Sequence, residues 1–239
     1  MIGALLAVSV PGFALGALGM AIANRRAARD VARRRWLKFA VFLLIVHAVF
    51  AAAAAGTVAI RALYLGVVLA CAVEFVRAWM RIARPRPWRG ALLAALVGAG
   101  AVAGTLASGA PVLVWCFLVI ACGDGFAQVV GQLVGRHLLA PRVSPTKTVE
   151  GAVGGLAAAV IGSAALHGIV ALPVGAAAIW GAAAAAAGLA GDLGASWLKR
   201  RAGLKDYSRL LPGQGGFLDR FDSLLAALAL LALAWRAPA

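Results

Sequence analysis

The chain has 239 residues, 64% of them apolar, with a mean hydropathy of +0.95 and a formal net charge of +15 from 23 Lys/Arg against 8 Asp/Glu. Apolar runs of about 18 residues or more recur from end to end, which excludes an ordinary soluble domain and indicates an all-α, polytopic transmembrane protein. The charge requires no nucleic-acid partner, because it is concentrated in the connections between apolar runs, where membrane topology and anionic lipid headgroups account for it.

Spans are expected at about 2–23, 39–60, 63–80, 90–108, 110–134, 151–170, 174–198 and 217–236, about eight in all. The first run has its basic cluster behind rather than ahead of it, so it reads as a retained helix and not a cleaved signal peptide. Basic residues fill the connections RRAARDVARRRWLK and RIARPRPWR and those that follow the fifth and seventh runs. If all of these face the cytoplasm, the opposite side keeps only Arg61 and Arg236, a strong positive-inside asymmetry that puts both termini outside.

Residues 1–109 form a chemically quiet set of N-terminal helices. Glu74 and Arg77 stand three apart and read as a local ion pair, His47 as a core or lipid-interface histidine, and Cys71, Cys116 and Cys122 as packing residues at no metal-ligand spacing. Residues 110–239 differ. Asp124, Gln128, Gly131, Gln132 and Gly135 share one polar, small face of a helix, either a packing seam or part of a site. The loop that follows carries Ser144, Pro145, Lys147, Thr148 and Glu150 into the next helix, and Lys147 near a helix N-terminus is a reasonable phosphate contact.

Four of the eight acidic residues, Asp192, Asp206, Asp219 and Asp222, crowd into the last connection and its flanks. Asp192, Ser196 and Lys199 lie on one helical face, and Asp219 and Asp222, three apart, converge after the glycines of Gly213-Gln214-Gly215-Gly216. Carboxylates beside apolar runs are costly in a bilayer and mark a functional site by default. Asp192, Asp219 and Asp222 form an oxygen-rich set that suits Mg²⁺; without cysteine or histidine among them, zinc does not fit. The plainer alternative, pairing of Asp219 and Asp222 with Arg220 and Lys205, leaves Asp192 and the glycines unexplained.

The run Ser196-x-Leu198-Lys199-Arg200-x4-Lys205-Asp206-x-Ser208-x2-Leu211-Pro212-x-Gln214-Gly215-Gly216-Phe217-x-Asp219-Arg220-Phe221-Asp222 resembles the signature of phosphatidate cytidylyltransferases, the CDP-diacylglycerol synthases. Gly191-Asp192, the Ser144 to Gly151 loop, and Asp124 with Gly131 and Gly135 are similar to further blocks of that family in the same order, over about 115–230. One position departs: Gln214 stands where the family usually has histidine, which keeps a hydrogen-bonding role but not proton transfer.

The resemblance implies transfer of the CMP moiety from CTP to phosphatidate with Mg²⁺, alone or with a second cation, at an inner-membrane site with cytoplasmic catalytic loops in a bacterium. It further implies a homodimer among membrane lipids. It assigns catalysis to Asp124, Lys147, Asp192, Ser196, Lys199, Lys205, Asp206, Asp219 and Asp222, and substrate binding to Ser144, Lys147, Thr148, Glu150, Arg200, Gln214, Gly215, Gly216 and Arg220. A CTP-dependent lipid-alcohol kinase would need a base for a neutral hydroxyl. A transporter or scaffold would be expected to show inverted repeats, and none is visible.

Overall fold

The computed structural model describes residues 2–25, 28–82 and 88–235. Arg26, Arg84, Arg86 and Arg236, which contribute to the expected charge asymmetry, lie outside the described residues. The architecture is helical throughout, in the order α1 (Ile2–Asn24), α2 (Arg29–Ala54), α3 (Thr57–Arg81), α4 (Trp88–Ala107), α5 (Ala110–Val134), α6 (Val149–Ala165), α7 (Val174–Arg201) and α8 (Leu218–Ala234). Each expected apolar run is a helix.

Of the described helices, α2, α3, α4, α5 and α7 are long and apolar enough to cross a membrane. Helices α6 and α8 have 17 residues each, which at about 1.5 Å per residue is short of a hydrocarbon core. The chain is therefore an all-α integral membrane protein with five candidate spans of full length among the described residues.

Three differences from the sequence expectation are local; in the first, the break between α2 and α3 falls at Ala55 and Gly56, the latter at φ +111, and not at 61–62. Helix α2 begins at Arg29 rather than near residue 39, because the basic connection is itself made of good helix formers and carries an i,i+4 pair, Asp30 with Arg34 at 2.5 Å. The connection from α5 to α6 is not plain loop but an antiparallel hairpin, β1 (Leu138–Ala140) with β2 (Ser144–Thr148), in which Leu138 pairs with Thr148 and Ala140 with Ser144.

Helix α8 is the packing centre, lying against α3, α4, α5 and α7. Phe221, Leu224, Leu225, Ala227, Leu228 and Leu231 are all buried, as expected of a helix packed on several sides by its neighbours. Around it, Trp115, Leu113, Val114 and Val119 of α5 and Ile60 of α3 complete a dry core, and the Tyr64 hydroxyl donates to the Leu113 carbonyl at 2.9 Å. Small residues set the helix spacing: a Cβ at Gly104 in α4 would stand 2.1 Å from the Leu228 carbonyl oxygen, and one at Gly155 in α6 would stand 2.6 Å from that of Gly123.

Outward-facing Leu69, Leu93, Leu133, Ile161 and Ile179 form the apolar perimeter that a bilayer would cover. His47 is a packing residue, its ring near those of Phe13 and Phe50, and the described cysteines are free thiols.

Candidate active site

The polar residues gather where the hairpin, the C-terminal end of α7 and the N-terminal end of α8 meet. Glu150, in the first turn of α6, accepts hydrogen bonds from the Arg136 and His137 amides at 3.0 and 3.2 Å and contacts the His137 ring at 2.6 Å. Thr148 caps α6 by accepting from the Gly151 amide at 3.1 Å, and Arg200 of α7 donates to the Val143 carbonyl at 3.2 Å. Glu150, Thr148 and Arg200 thus fix the hairpin in place, and Ser144, at the start of its second strand, is buried. The product of this scaffolding is the placement of Lys147, which forms an ion pair with Asp192; Ser196, one turn on, donates to the same carboxylate at 3.3 Å.

A second ion pair lies at the start of α8. Lys199 of α7 meets Asp219 at 2.7 Å, with side chains only 13% and 5% exposed. The other Asp219 oxygen accepts from the Tyr207 amide at 2.7 Å and the Gly216 amide at 2.9 Å, so this carboxylate clamps both ends of the connecting loop. Tyr207 donates its hydroxyl to the Ala195 carbonyl at 2.7 Å. Burial, with the Asp222 and Asp219 charges adding to it, pushes the Tyr207 phenol well above its usual range and keeps it a neutral donor.

Gly215, at φ +91, turns the chain back to bridge Leu211 in a conformation that a side chain would strain. Gln214 reaches outward instead, donating from Nε2 to the Lys38 carbonyl of α2 at 2.9 Å. Lys205 and Asp206 are exposed and form no hydrogen bond or ion pair among the described residues.

Two further carboxylates, Asp124 and Asp222, join Asp192 here, the three standing on three different helices and within electrostatic reach of one another. Asp222 is 8% exposed, whereas Asp124 opens to the surface; Lys147 and Arg220 face Asp124, and Lys199 acts on Asp222. The Ser223 hydroxyl is buried beside Asp124 and makes no well-aligned hydrogen bond to a described group.

Among the described residues no three His, Cys, Asp or Glu side chains stand close enough to share one metal ion as they are arranged. The donor chemistry nevertheless suits a hard cation. Neighbouring carboxylates at a partly dry site form a negative surplus that lysines and Arg220 meet here and that a divalent cation with oxygen ligands would meet equally well.

Glu74 is placed quite differently from the expected pair with Arg77. It is buried in α3 and accepts from Ser208, Phe217 and Leu218, while Arg77 is exposed. Partners more than a hundred residues away leave no spacing signal in the sequence; only the presence of a carboxylate within an apolar run marked it.

This arrangement has relatives. Phosphatidate cytidylyltransferase of Brucella abortus (strain 2308) is 43% identical over 122 residues, 51% of this chain and 45% of that protein. Those of Staphylococcus saprophyticus and Staphylococcus aureus (strain COL) are 40% and 38% identical over 129 residues, in each case 53% of this chain and 50% of the relative. The chain spans about half the length of the curated relatives it matches. The model of the cytidylyltransferase family matches residues 20–237, nearly the whole sequence, and the chain belongs to that family.

Proposed function

We propose that this protein is a phosphatidate cytidylyltransferase, converting CTP and phosphatidate into CDP-diacylglycerol and pyrophosphate. The observation that carries the reading is the pair of ion pairs, Lys147 with Asp192 and Lys199 with Asp219, set around buried Asp222 in a chain with cytidylyltransferase relatives. Such a site has cations for phosphate oxygens and carboxylates for a metal, and no histidine takes part in it.

The chemistry asks for little more. A phosphate oxygen of phosphatidate forms a bond to the α-phosphorus of CTP, and the bond between that phosphorus and the β-bridging oxygen breaks, so that pyrophosphate leaves with the electron pair. The attacking oxygen is already ionised near neutral pH, so no general base is needed; charge neutralisation and in-line positioning do the work. Lys147 and Lys199 are held at the site by their aspartates and can exchange those partners for phosphate oxygens, while exposed Arg220 and Lys205 extend the positive rim. Asp192, Asp219 and Asp222 would hold Mg²⁺, which supplies charge neutralisation of the triphosphate when bound. Gln214, tied to α2, acts by positioning its loop and not by proton transfer.

Cytosolic CTP and an inner-leaflet lipid place these loops on the cytoplasmic face of the cell membrane. Detergent-solubilised protein given CTP, Mg²⁺ and phosphatidate is expected to form CDP-diacylglycerol and pyrophosphate in equal amounts. Well-folded protein that forms neither overturns the reading.

A further inference from the structure

Glu74 belongs to α3, far in sequence from the signature run, yet it is only 1% exposed and its partners all lie in or next to the loop that leads into α8. Oε1 accepts from the Ser208 hydroxyl at 2.6 Å and the Phe217 amide at 3.1 Å, and Oε2 accepts from the Leu218 amide at 2.8 Å. Phe217 and Leu218 begin α8, where amides have no partner within the helix and where the helix dipole favours a negative charge. Helix caps normally come from a neighbouring residue; here the cap comes from another span.

The neighbouring backbone is built to admit it. A Cβ on Gly216 would stand 2.5 Å from Glu74 Oε2. The Gly216 amide meanwhile points to Asp219 at 2.9 Å, so Gly216 is held between two carboxylates, one from α3 and one from α8. A buried charge is tolerable only when fully hydrogen-bonded, and Glu74 has three donors where a glutamine would turn an N–H₂ group towards one of them.

We propose that Glu74 is a positioning residue for cytidylyl transfer: by capping α8 from α3 it sets the direction in which Asp219 and Asp222 present their carboxylates. The inference rests on the reading of those aspartates as the metal-holding part of the site, but its test can be separated from that reading. It also gives the N-terminal helices a task beyond membrane anchoring, namely holding the first turn of the catalytic helix.

The experiment compares full-length wild-type protein with Glu74→Gln, Glu74→Asp and Ser208→Ala in detergent. Amide hydrogen exchange of 216–222 is measured with and without Mg²⁺ and no substrate, followed by turnover at varied Mg²⁺ and varied phosphatidate. Loss of a group that orients a metal's ligands typically costs about 10–100-fold in metal affinity or activity. Glu74→Gln is therefore expected to exchange faster at Phe217 and Leu218, to lose its Mg²⁺-dependent protection, and to need roughly 10-fold or more Mg²⁺ for half-maximal turnover, with little change in the phosphatidate KM. Glu74→Asp should recover part of each effect, and Ser208→Ala, which removes one donor of three, should show a smaller shift in the same direction.

Unchanged exchange overturns the proposal, as does faster exchange with wild-type Mg²⁺ dependence. If Glu74→Gln fails to fold, Ser208→Ala and Glu74→Asp decide by the same two readouts. If the wild type forms no CDP-lipid, the functional reading falls, while Mg²⁺-dependent protection still decides whether Glu74 positions the aspartates.

Discussion

Gly191→Ala adds one methyl group one residue before Asp192, on the face of α7 that packs against α8. The added Cβ would stand 2.7 Å from the Asp222 carbonyl oxygen and 2.7 Å from the Ala226 Cβ, whereas ordinary contact begins near 3.4 Å. Both clashes are with the same face of α8, one with backbone, so no side-chain rotation relieves them. The helices must part by about 0.7 Å, the difference between those two distances, and Asp192 and Asp222 move apart with them. Overpacking of this kind costs about 1–3 kcal/mol, and a displacement near 1 Å at reacting groups costs as much as roughly 10²-fold in rate.

We therefore expect Gly191→Ala to remain inserted, to melt a few degrees lower, and to lose about one to two orders of magnitude in CDP-diacylglycerol formation. Gly194→Ala is the control: it lies on the same helix, and a Cβ there would meet nothing within 4 Å. Alanine at that site should be neutral or slightly stabilising, since it removes a glycine from a helix interior. Equal activity of Gly191→Ala and Gly194→Ala in folded protein would refute the claim that the α7–α8 spacing sets the site.

Other perturbations separate chemistry from scaffolding. Lys147→Met leaves Asp192 without its cation, and turnover should fall about 10²–10³-fold, with folding retained because the pair is partly solvated. Asp219→Asn breaks a buried ion pair and weakens two amide contacts, a loss of about 3–5 kcal/mol, so it should abolish activity and also open the loop to trypsin at Lys205 and Arg209. Gln214→Ala removes a neutral hydrogen bond of about 1 kcal/mol and should lower activity only a few-fold, while Gln214→His should retain it. A cysteine placed at Thr146 or Arg201, both exposed, in a background without the native cysteines should react only with reagents that reach the cytoplasm; labelling from outside intact cells would contradict the topology.

The helices were legible because each is an apolar run bounded by basic or glycine-containing connections, and the candidate site residues stood out because charge is scarce in this composition and therefore conspicuous. The hairpin was not: Leu138–Ala140 and Ser144–Thr148 are too short to show alternation, and Pro145 argues against a strand except at an edge. The early start of α2 was hidden by its charge, since hydropathy finds spans and not helices. Glu74 read as half of a local ion pair and not as a cap, because its partners Ser208, Phe217 and Leu218 lie 134 to 144 residues away. Local spacing offered Arg77, and tertiary packing chose the first turn of α8. The clamp function of Asp219 was hidden for the same reason: the Tyr207 amide becomes its donor only once the loop has closed.

The most direct measurement follows the fate of label from CTP. Purified protein is supplied with phosphatidate and Mg²⁺, and with CTP labelled at either the α- or the γ-phosphorus. Cytidylyl transfer puts the α-label into lipid and the γ-label into pyrophosphate, so lipid should carry the first and never the second. Lipid labelled from the γ position, with CDP released, would show a kinase and contradict the account.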